Sequence, residues 1–121
     1  MRPLLVVCLL AAACGGKLDR KRLSAQVRAL HAYAAEAHLL AVQRDAGDTP
    51  RVYARVQQDQ LVDRIREAVK TLDRGAADPA LDPPLRDAQV LGHALESAAR
   101  SGDDLGELEA RLAVLDETLR P

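Results

Sequence analysis

The feature that most constrains this chain is a repeated spacing of apolar residues by three and four positions. Such spacing places successive apolar side chains on one side of an α-helix. Four segments show it, and the first contains Leu23, Val27, Leu30, Ala34, Ala37 and Ala41. The chain has no Phe or Trp and a single Ile, a composition that favours helices over strands. The sequence therefore predicts an all-α fold.

Glycines mark the predicted ends of the first three helices. Glycine is favoured just beyond a helix C-terminus because it adopts left-handed backbone angles without strain. The glycines at these ends are Gly47, Gly75 and Gly102. The predicted helices accordingly span residues 18–45, 50–74, 83–101 and 104–119. Gly92 instead lies within the third apolar seam, where its cost to helix stability predicts a close neighbour that needs the space.

Three short motifs are typical of helix N-termini. Thr49 precedes a proline, so it predicts an N-cap side chain followed by a residue whose missing N–H costs nothing there. Asp82 also precedes a proline and predicts the start of the third helix. Asp104 stands three residues before Glu107, a spacing that resembles a capping box and predicts the start of the fourth.

Short connections between successive helices make neighbouring helices antiparallel. Residues 18–121 are therefore predicted to form one domain, an antiparallel up-down four-helix bundle with two long helices followed by two shorter ones. At a rise of 1.5 Å per residue, the first pair reaches about 40 Å and the second about 25 Å. The second pair should consequently stop before the far tip of the first.

Apolar residues near that tip are expected to lack cover. They predict a contact surface for an envelope protein partner or for a second copy of this chain. The residues are Leu39, Leu40, Val42, Val52, Tyr53 and Val56. The alternative is that helix tilt covers them or that they pack against one another.

Residues 1–13 have the features of a secretory signal peptide. Arg2 provides a positive start, an apolar run follows, and three alanines supply the small side chains that a signal peptidase accepts. The apolar run is shorter than the about 20 residues that a membrane-spanning helix needs. We therefore expect this segment to be removed from the mature protein.

The end of the segment resembles the lipobox of bacterial lipoproteins. Residues 11–14 read AAAC, with Ala where the lipobox begins with Leu, and Leu10 stands one position earlier. The resemblance implies that Cys14 is lipidated and that residues 14–17 tether the lipid to the bundle. An ordinary signal peptidase could instead cut before Cys14 and leave its thiol unmodified.

The resemblance also implies a location. Gly15 follows the cysteine in place of the aspartate that retains lipoproteins of well-studied families at the inner membrane, which favours an outer-membrane position facing the periplasm. Cys8, the other cysteine, lies within the removed segment, so we expect no disulfide in the mature chain.

Charge is distributed unevenly along the chain. The net charge is −1, but residues 17–74 carry 12 basic and 8 acidic side chains, whereas residues 75–121 carry 4 and 10. A mildly acidic exported chain without a basic face is not expected to bind nucleic acid. Four basic residues just after the tether predict a contact with anionic headgroups at the membrane surface, and the alternative is a solvated first helical turn. They are Lys17, Arg20, Lys21 and Arg22.

Residues that could carry chemistry are few. His31 and His38 are seven positions apart, too far along a helix for both to bind one ion. His93 and Glu96 have helical spacing, yet the Glu-x-x-His motif of ferritin-like bundles is absent. The three serines have no nucleophile motif around them. We therefore predict no catalytic residue, no metal site and no cofactor.

These features favour a non-catalytic interaction or assembly module, held at the bacterial envelope through Cys14. The alternative is a periplasmic bundle that binds a small ligand or a metal ion, with the histidines as the candidate ligands. They are His31, His38 and His93.

Overall fold

The computed structural model describes residues 18–47 and 50–120. These residues form four α-helices: α1 (Arg20–Asp45), α2 (Arg51–Arg74), α3 (Asp82–Ser101) and α4 (Leu105–Leu119). A short 3₁₀ turn over Pro79–Leu81 precedes α3. Each α-helix begins and ends within two residues of its predicted bounds. The predicted signal peptide, Cys14, the tether over residues 14–17 and the predicted N-cap Thr49 lie outside the described residues.

The helices form the predicted antiparallel up-down four-helix bundle. α1 packs between α2 and α4, and α3 packs against α2 and α4. α1 also contacts α3 across the diagonal of the bundle. In the part of the chain that the structure describes, no helix is both long enough and apolar enough to cross a bilayer.

The core consists of the four predicted apolar seams. All six seam residues predicted for α1 are buried. The residues that the spacing predicts to face inward from the other helices are buried too: Leu61, Ile65, Ala68, Val69 and Leu72 of α2, Leu85, Ala88, Gly92, Leu95 and Ala99 of α3, and Leu105, Leu108, Leu112, Leu115 and Leu119 of α4. The largest side chains without solvent contact are Leu23, Val27, Leu30, Ile65, Leu72, Leu95 and Leu112. Burying one such side chain stabilises the fold by about 1.5–3 kcal/mol. The fully buried core is therefore aliphatic, and Tyr33 packs against it, partly buried.

Side chains from neighbouring helices satisfy carbonyl groups at two helix C-termini. Gln89 of α3 donates a hydrogen bond to the carbonyl of Leu72 in α2 at 3.0 Å. Gln58 of α2 donates to the carbonyls of Ala99 and Arg100 in α3 at 2.8 and 2.7 Å. The last carbonyls of a helix have no intrahelical donor. These glutamines therefore tie α2 and α3 to each other at both ends of their contact.

The connection between α3 and α4 differs from the predicted capping box. Asp104 has a left-handed backbone, with φ of 60°, and its side chain makes no cap hydrogen bond. Gly102 is also left-handed, with φ of 82°. The short reversal between the helices uses these two left-handed residues. An N-cap residue whose side chain bonds to the helix typically has an extended backbone, so Asp104 does not make the predicted bond. The Asp103 N–H bonds to the Ser101 hydroxyl at 3.2 Å.

The start of α3 also differs from its prediction. Asp82 is the first residue of the helix rather than its N-cap, because the preceding 3₁₀ turn leads directly into the helix. At the start of α1, Asp19 is the N-cap and its Oδ1 accepts a hydrogen bond from the Arg22 backbone N–H at 2.7 Å.

The chain that enters α1 is fixed to the α2–α3 connection. The backbone N–H of Leu18 donates to the carbonyl of Ala76 at 2.8 Å, and the Leu18 side chain is buried. A Cβ atom on Gly75 would overlap that side chain. Gly75 does end α2 as predicted, but its φ is −72°, so contact with Leu18 explains the glycine better than a left-handed cap does.

Candidate functional site

The hairpin of α3 and α4 ends before the hairpin of α1 and α2. Gln58, the eighth residue of α2, lies beside the last carbonyls of α3. Residues 51–57 therefore extend beyond α3, by about 10 Å at the helical rise per residue. We call this end of the bundle, formed by the C-terminus of α1 and the N-terminus of α2, the tip.

Five large apolar side chains at the tip are exposed to solvent. We call these residues the tip patch; they are Leu39, Val42, Val52, Tyr53 and Val56. Their exposed fractions range from 46% for Val56 to 77% for Val52. The sequence predicted that all five are uncovered because the shorter hairpin stops before them. The reversal between α3 and α4 nevertheless reaches the last turns of α1, since a Cβ atom on Gly102 would lie 3.9 Å from that of Ala41. Leu39 and Val42 are therefore exposed because they face away from the core, not because the hairpin stops short of them. Leu40, which the sequence also placed there, is only partly exposed, and with Ala54 and Gly102 it lines a cavity of about 10 Å³.

Charged residues surround the tip patch. Arg51 and Arg55 are exposed beside it on α2. On α1, the guanidinium of Arg44 lies 3.7 Å from the carboxylate of Asp45. An exposed apolar patch with a polar rim is typical of a protein contact surface. The chemistry available at the tip is therefore recognition by apolar contact and charge.

The candidate histidines occupy separate parts of the bundle. His38 of α1 lies 3.0 Å from the Glu109 carboxylate of α4, and His93 of α3 lies 2.8 Å from the Asp73 carboxylate of α2. His31 is half-buried on α1. Within residues 18–47 and 50–120, no group of three or more His, Cys, Asp or Glu side chains is placed to hold a metal ion. His38 and His93 each link two helices.

The predicted membrane-contact residues do not form one uniform cluster. Lys17 lies outside the described residues. Arg20 reaches across to α4, where its Nε donates to the carbonyl of Leu119 at 3.1 Å and its Nη2 to the carbonyl of Thr118 at 3.2 Å. Lys21 and Arg22 are exposed on the first turn of α1. Arg20 therefore also satisfies the C-terminus of α4, which the sequence did not predict.

Sequence reasoning missed a buried carboxylate near these residues. Asp116 of α4 is only 4% exposed and lies between two guanidinium groups. Its Oδ2 is 3.3 Å from Nη2 of Arg120, and its Oδ1 is 4.0 Å from Nε of Arg28 in α1. Oδ1 accepts no hydrogen bond. Asp116 stands four residues after the seam residue Leu112, so helical spacing places it on the buried side of α4. This spacing could have predicted that the carboxylate is buried.

A groove runs between α1 and α4 next to this carboxylate, at the end of the bundle opposite the tip. We call it the basal groove, and its lining residues are Arg20, Lys21, Ser24, Ala25, Arg28 and Leu119. We call its basic lining residues, Arg20, Lys21 and Arg28, the rim, and its apolar lining residues, the exposed Ala25 and the buried Leu119, the floor. The described structure thus presents a candidate contact region at each end and a third between α3 and α4, where Val90 and Val114 are 64% and 66% exposed beside a shallow groove.

Comparison with protein-family models, with curated proteins and with solved structures finds no match for this chain.

Proposed function

We propose that this chain is a lipid-anchored protein of the bacterial cell envelope whose helical bundle is a non-catalytic interaction module. The observation that carries this proposal is the tip patch, with five large apolar side chains exposed at one end of the bundle. The candidate anchor Cys14 precedes the opposite end. Anchor and contact surface would then lie at the two ends of one rigid rod, with the anchor in the outer membrane and the tip in the periplasm.

The dimensions of α1 support this division of roles. The helix has 26 residues, so it spans about 39 Å between its start at Arg20 and its end at Asp45. A bundle anchored just before Arg20 would hold the tip patch well clear of the bilayer surface. Such a patch could reach a protein in the periplasm or a second lipidated copy on the same membrane.

A site-specific crosslink tests the contact surface. Tyr53 is replaced by p-benzoylphenylalanine in the native host, and Thr71, which is exposed on the same helix near the basal end, is replaced in a matched control. We expect illumination to give one discrete product at position 53 and none at position 71. The mass of the product distinguishes another envelope protein from a second copy. No discrete product at position 53, or the same product at both positions, would overturn the interaction role.

Metabolic labelling tests the anchor independently. The host is grown with labelled palmitate, and the parent chain is compared with Cys14→Ser and Cys8→Ser variants. We expect label in the parent and in the Cys8→Ser variant and none in the Cys14→Ser variant, because only Cys14 occupies the lipobox position. Unlabelled parent chain recovered without the signal segment would show that Cys14 is not lipidated.

A further inference from the structure

We infer that the basal groove binds the phosphate headgroup of an anionic phospholipid, so that the basal end of the bundle rests on the membrane on its α1–α4 side. The groove combines a basic rim with an apolar floor. An anionic phospholipid has the complementary chemistry, with a phosphate for the rim and glycerol and acyl carbons for the floor. The inference uses the proposed lipid anchor only to bring the groove to a membrane.

One of the rim cations, Arg20, is already held in place by α4. Arg20 is fixed through Nε and Nη2 on the carbonyls of Leu119 and Thr118. Arg28 lies beside the buried carboxylate of Asp116, with its side chain still 67% exposed. Binding to side chains that are already positioned loses less conformational entropy than binding to free ones. The groove is therefore better prepared for an anion than an unconstrained run of basic residues would be.

The local charge balance favours an anion. Asp116 is one carboxylate shared by two guanidinium groups, those of Arg28 and Arg120, so this group of three carries a net positive charge. The exposed carboxylates of Asp19 and Glu117 lie near the same end, and neither lines the groove. Lys21 adds another exposed cation on the same rim. Each basic residue close to an anionic membrane strengthens binding by about fivefold. Arginine is also suited to phosphate because its guanidinium group can donate two parallel hydrogen bonds.

Charges on the opposite side of the basal end would orient the bundle. The last turn of α2 and the connection to α3 carry Asp73, Asp78 and Asp82, all exposed. An anionic surface repels these residues and attracts the α1–α4 side of the basal end. The groove also adjoins Arg20, six residues after Cys14, and six extended residues span about 20 Å at most. A lipid on Cys14 would thus keep the groove within reach of headgroups.

Vesicle binding tests the inference without the anchor. The chain from Gly15 to Pro121 is used because every buried residue of the described core lies between Leu18 and Leu119. We expect it to sediment with vesicles of phosphatidylcholine and phosphatidylglycerol but not with vesicles of phosphatidylcholine alone. Added salt should weaken the binding because the attraction is electrostatic.

Matched variants locate the binding. Lys21→Gln and Arg28→Gln are each expected to weaken binding to the anionic vesicles by about fivefold. Lys70→Gln is the control, since Lys70 is an exposed cation on α2, paired with Glu67 at 3.5 Å and outside the groove. Lys21→Gln removes no side-chain contact to α4, so it tests the groove even if Arg28→Gln alters the fold. Circular dichroism melting verifies that the variants remain folded.

Three results would overturn the inference. The first is equal binding to neutral and anionic vesicles, and the second is an equal loss in Lys21→Gln and Lys70→Gln. The third is binding of inorganic phosphate to the groove, detected by NMR shifts at Ser24 and Ala25, with no binding to anionic vesicles. That result would show that the groove binds a soluble anion. None of these results bears on palmitate labelling of Cys14, so failure of the groove and failure of the anchor are distinguishable.

Discussion

A Cβ atom on Gly92 of α3 would lie only 3.0 Å from Cγ2 of Val69 in α2. The same atom would lie 3.5 Å from Cδ1 of Leu30 in α1. Glycine in mid-helix costs about 1 kcal/mol relative to alanine. Its presence here lets α3 pack closely against α2 and α1 at once, as the glycine in the third seam predicted.

Gly92→Ala is expected to lower the free energy of unfolding by about 1 kcal/mol. Overpacking against Val69 costs about 2 kcal/mol, and the higher helix propensity of alanine offsets about 1 kcal/mol of that cost. In a Val69→Ala background the same change should raise the free energy of unfolding by about 1 kcal/mol, since the crowding atom is gone. Urea denaturation of the four chains measures both steps. Equal effects of Gly92→Ala in the two backgrounds would refute the close contact.

Gly75→Ala is expected to displace the Leu18 side chain, whose place the new Cβ would take. The loss should be about 2 kcal/mol, the stabilisation from burying one leucine side chain. Leu18→Ala should cost a similar amount, and the double variant should cost no more than either single one, because both changes remove the same contact. Urea denaturation of the two single variants and the double variant measures the three free energies of unfolding. A loss in the double variant equal to the sum of the two single losses would contradict the prediction.

Asp116→Leu is expected to raise the free energy of unfolding by about 1 kcal/mol. The change removes a buried carboxylate whose Oδ1 lacks a hydrogen bond, and it leaves Arg28 and Arg120 in solvent, where their side chains are already 67% and 62% exposed. Removing both arginines, in Arg28→Ala with Arg120→Ala, should instead destabilise the chain by about 3 kcal/mol, because the buried charge loses its partners. Urea denaturation measures both effects. If Asp116→Leu lowered the free energy of unfolding by about 3 kcal/mol, the carboxylate would be a net stabilising group and the prediction would be wrong.

Substitutions in the tip patch are expected to leave stability unchanged to within about 0.5 kcal/mol, as is usual for exposed positions. Val52→Ser and Tyr53→Gln are suitable, since these side chains are 77% and 56% exposed. Ala54→Asp is the contrasting variant, because Ala54 is only 4% exposed, and it should destabilise the chain by about 2 kcal/mol. Thermal melting compares the three variants, and a large loss in Val52→Ser would show that the patch serves folding rather than contact.

The sequence by itself determined the four helices, their order and their buried sides. Helical periodicity is a local property, so Leu23, Val27 and Leu30 could be assigned to the core from spacing alone. Helix lengths also follow from local patterns, so the sequence predicted that the two hairpins differ in length. That difference in turn predicted exposed residues at the tip. At Asp104 the predicted start of the fourth helix is confirmed, but the predicted capping-box hydrogen bond is absent because the residue has a left-handed backbone.

Only the tertiary structure decided the contacts that join residues far apart in the chain. Arg20 and Leu119 are 99 positions apart, and Gln58 and Ala99 are 41 apart. No local pattern encodes such pairs, since they depend on how the packed seams set the height and rotation of each helix. The basal groove and the ion pairs of Asp116 arise in this way, because aliphatic packing places α1 and α4 side by side and thereby brings their charged residues together.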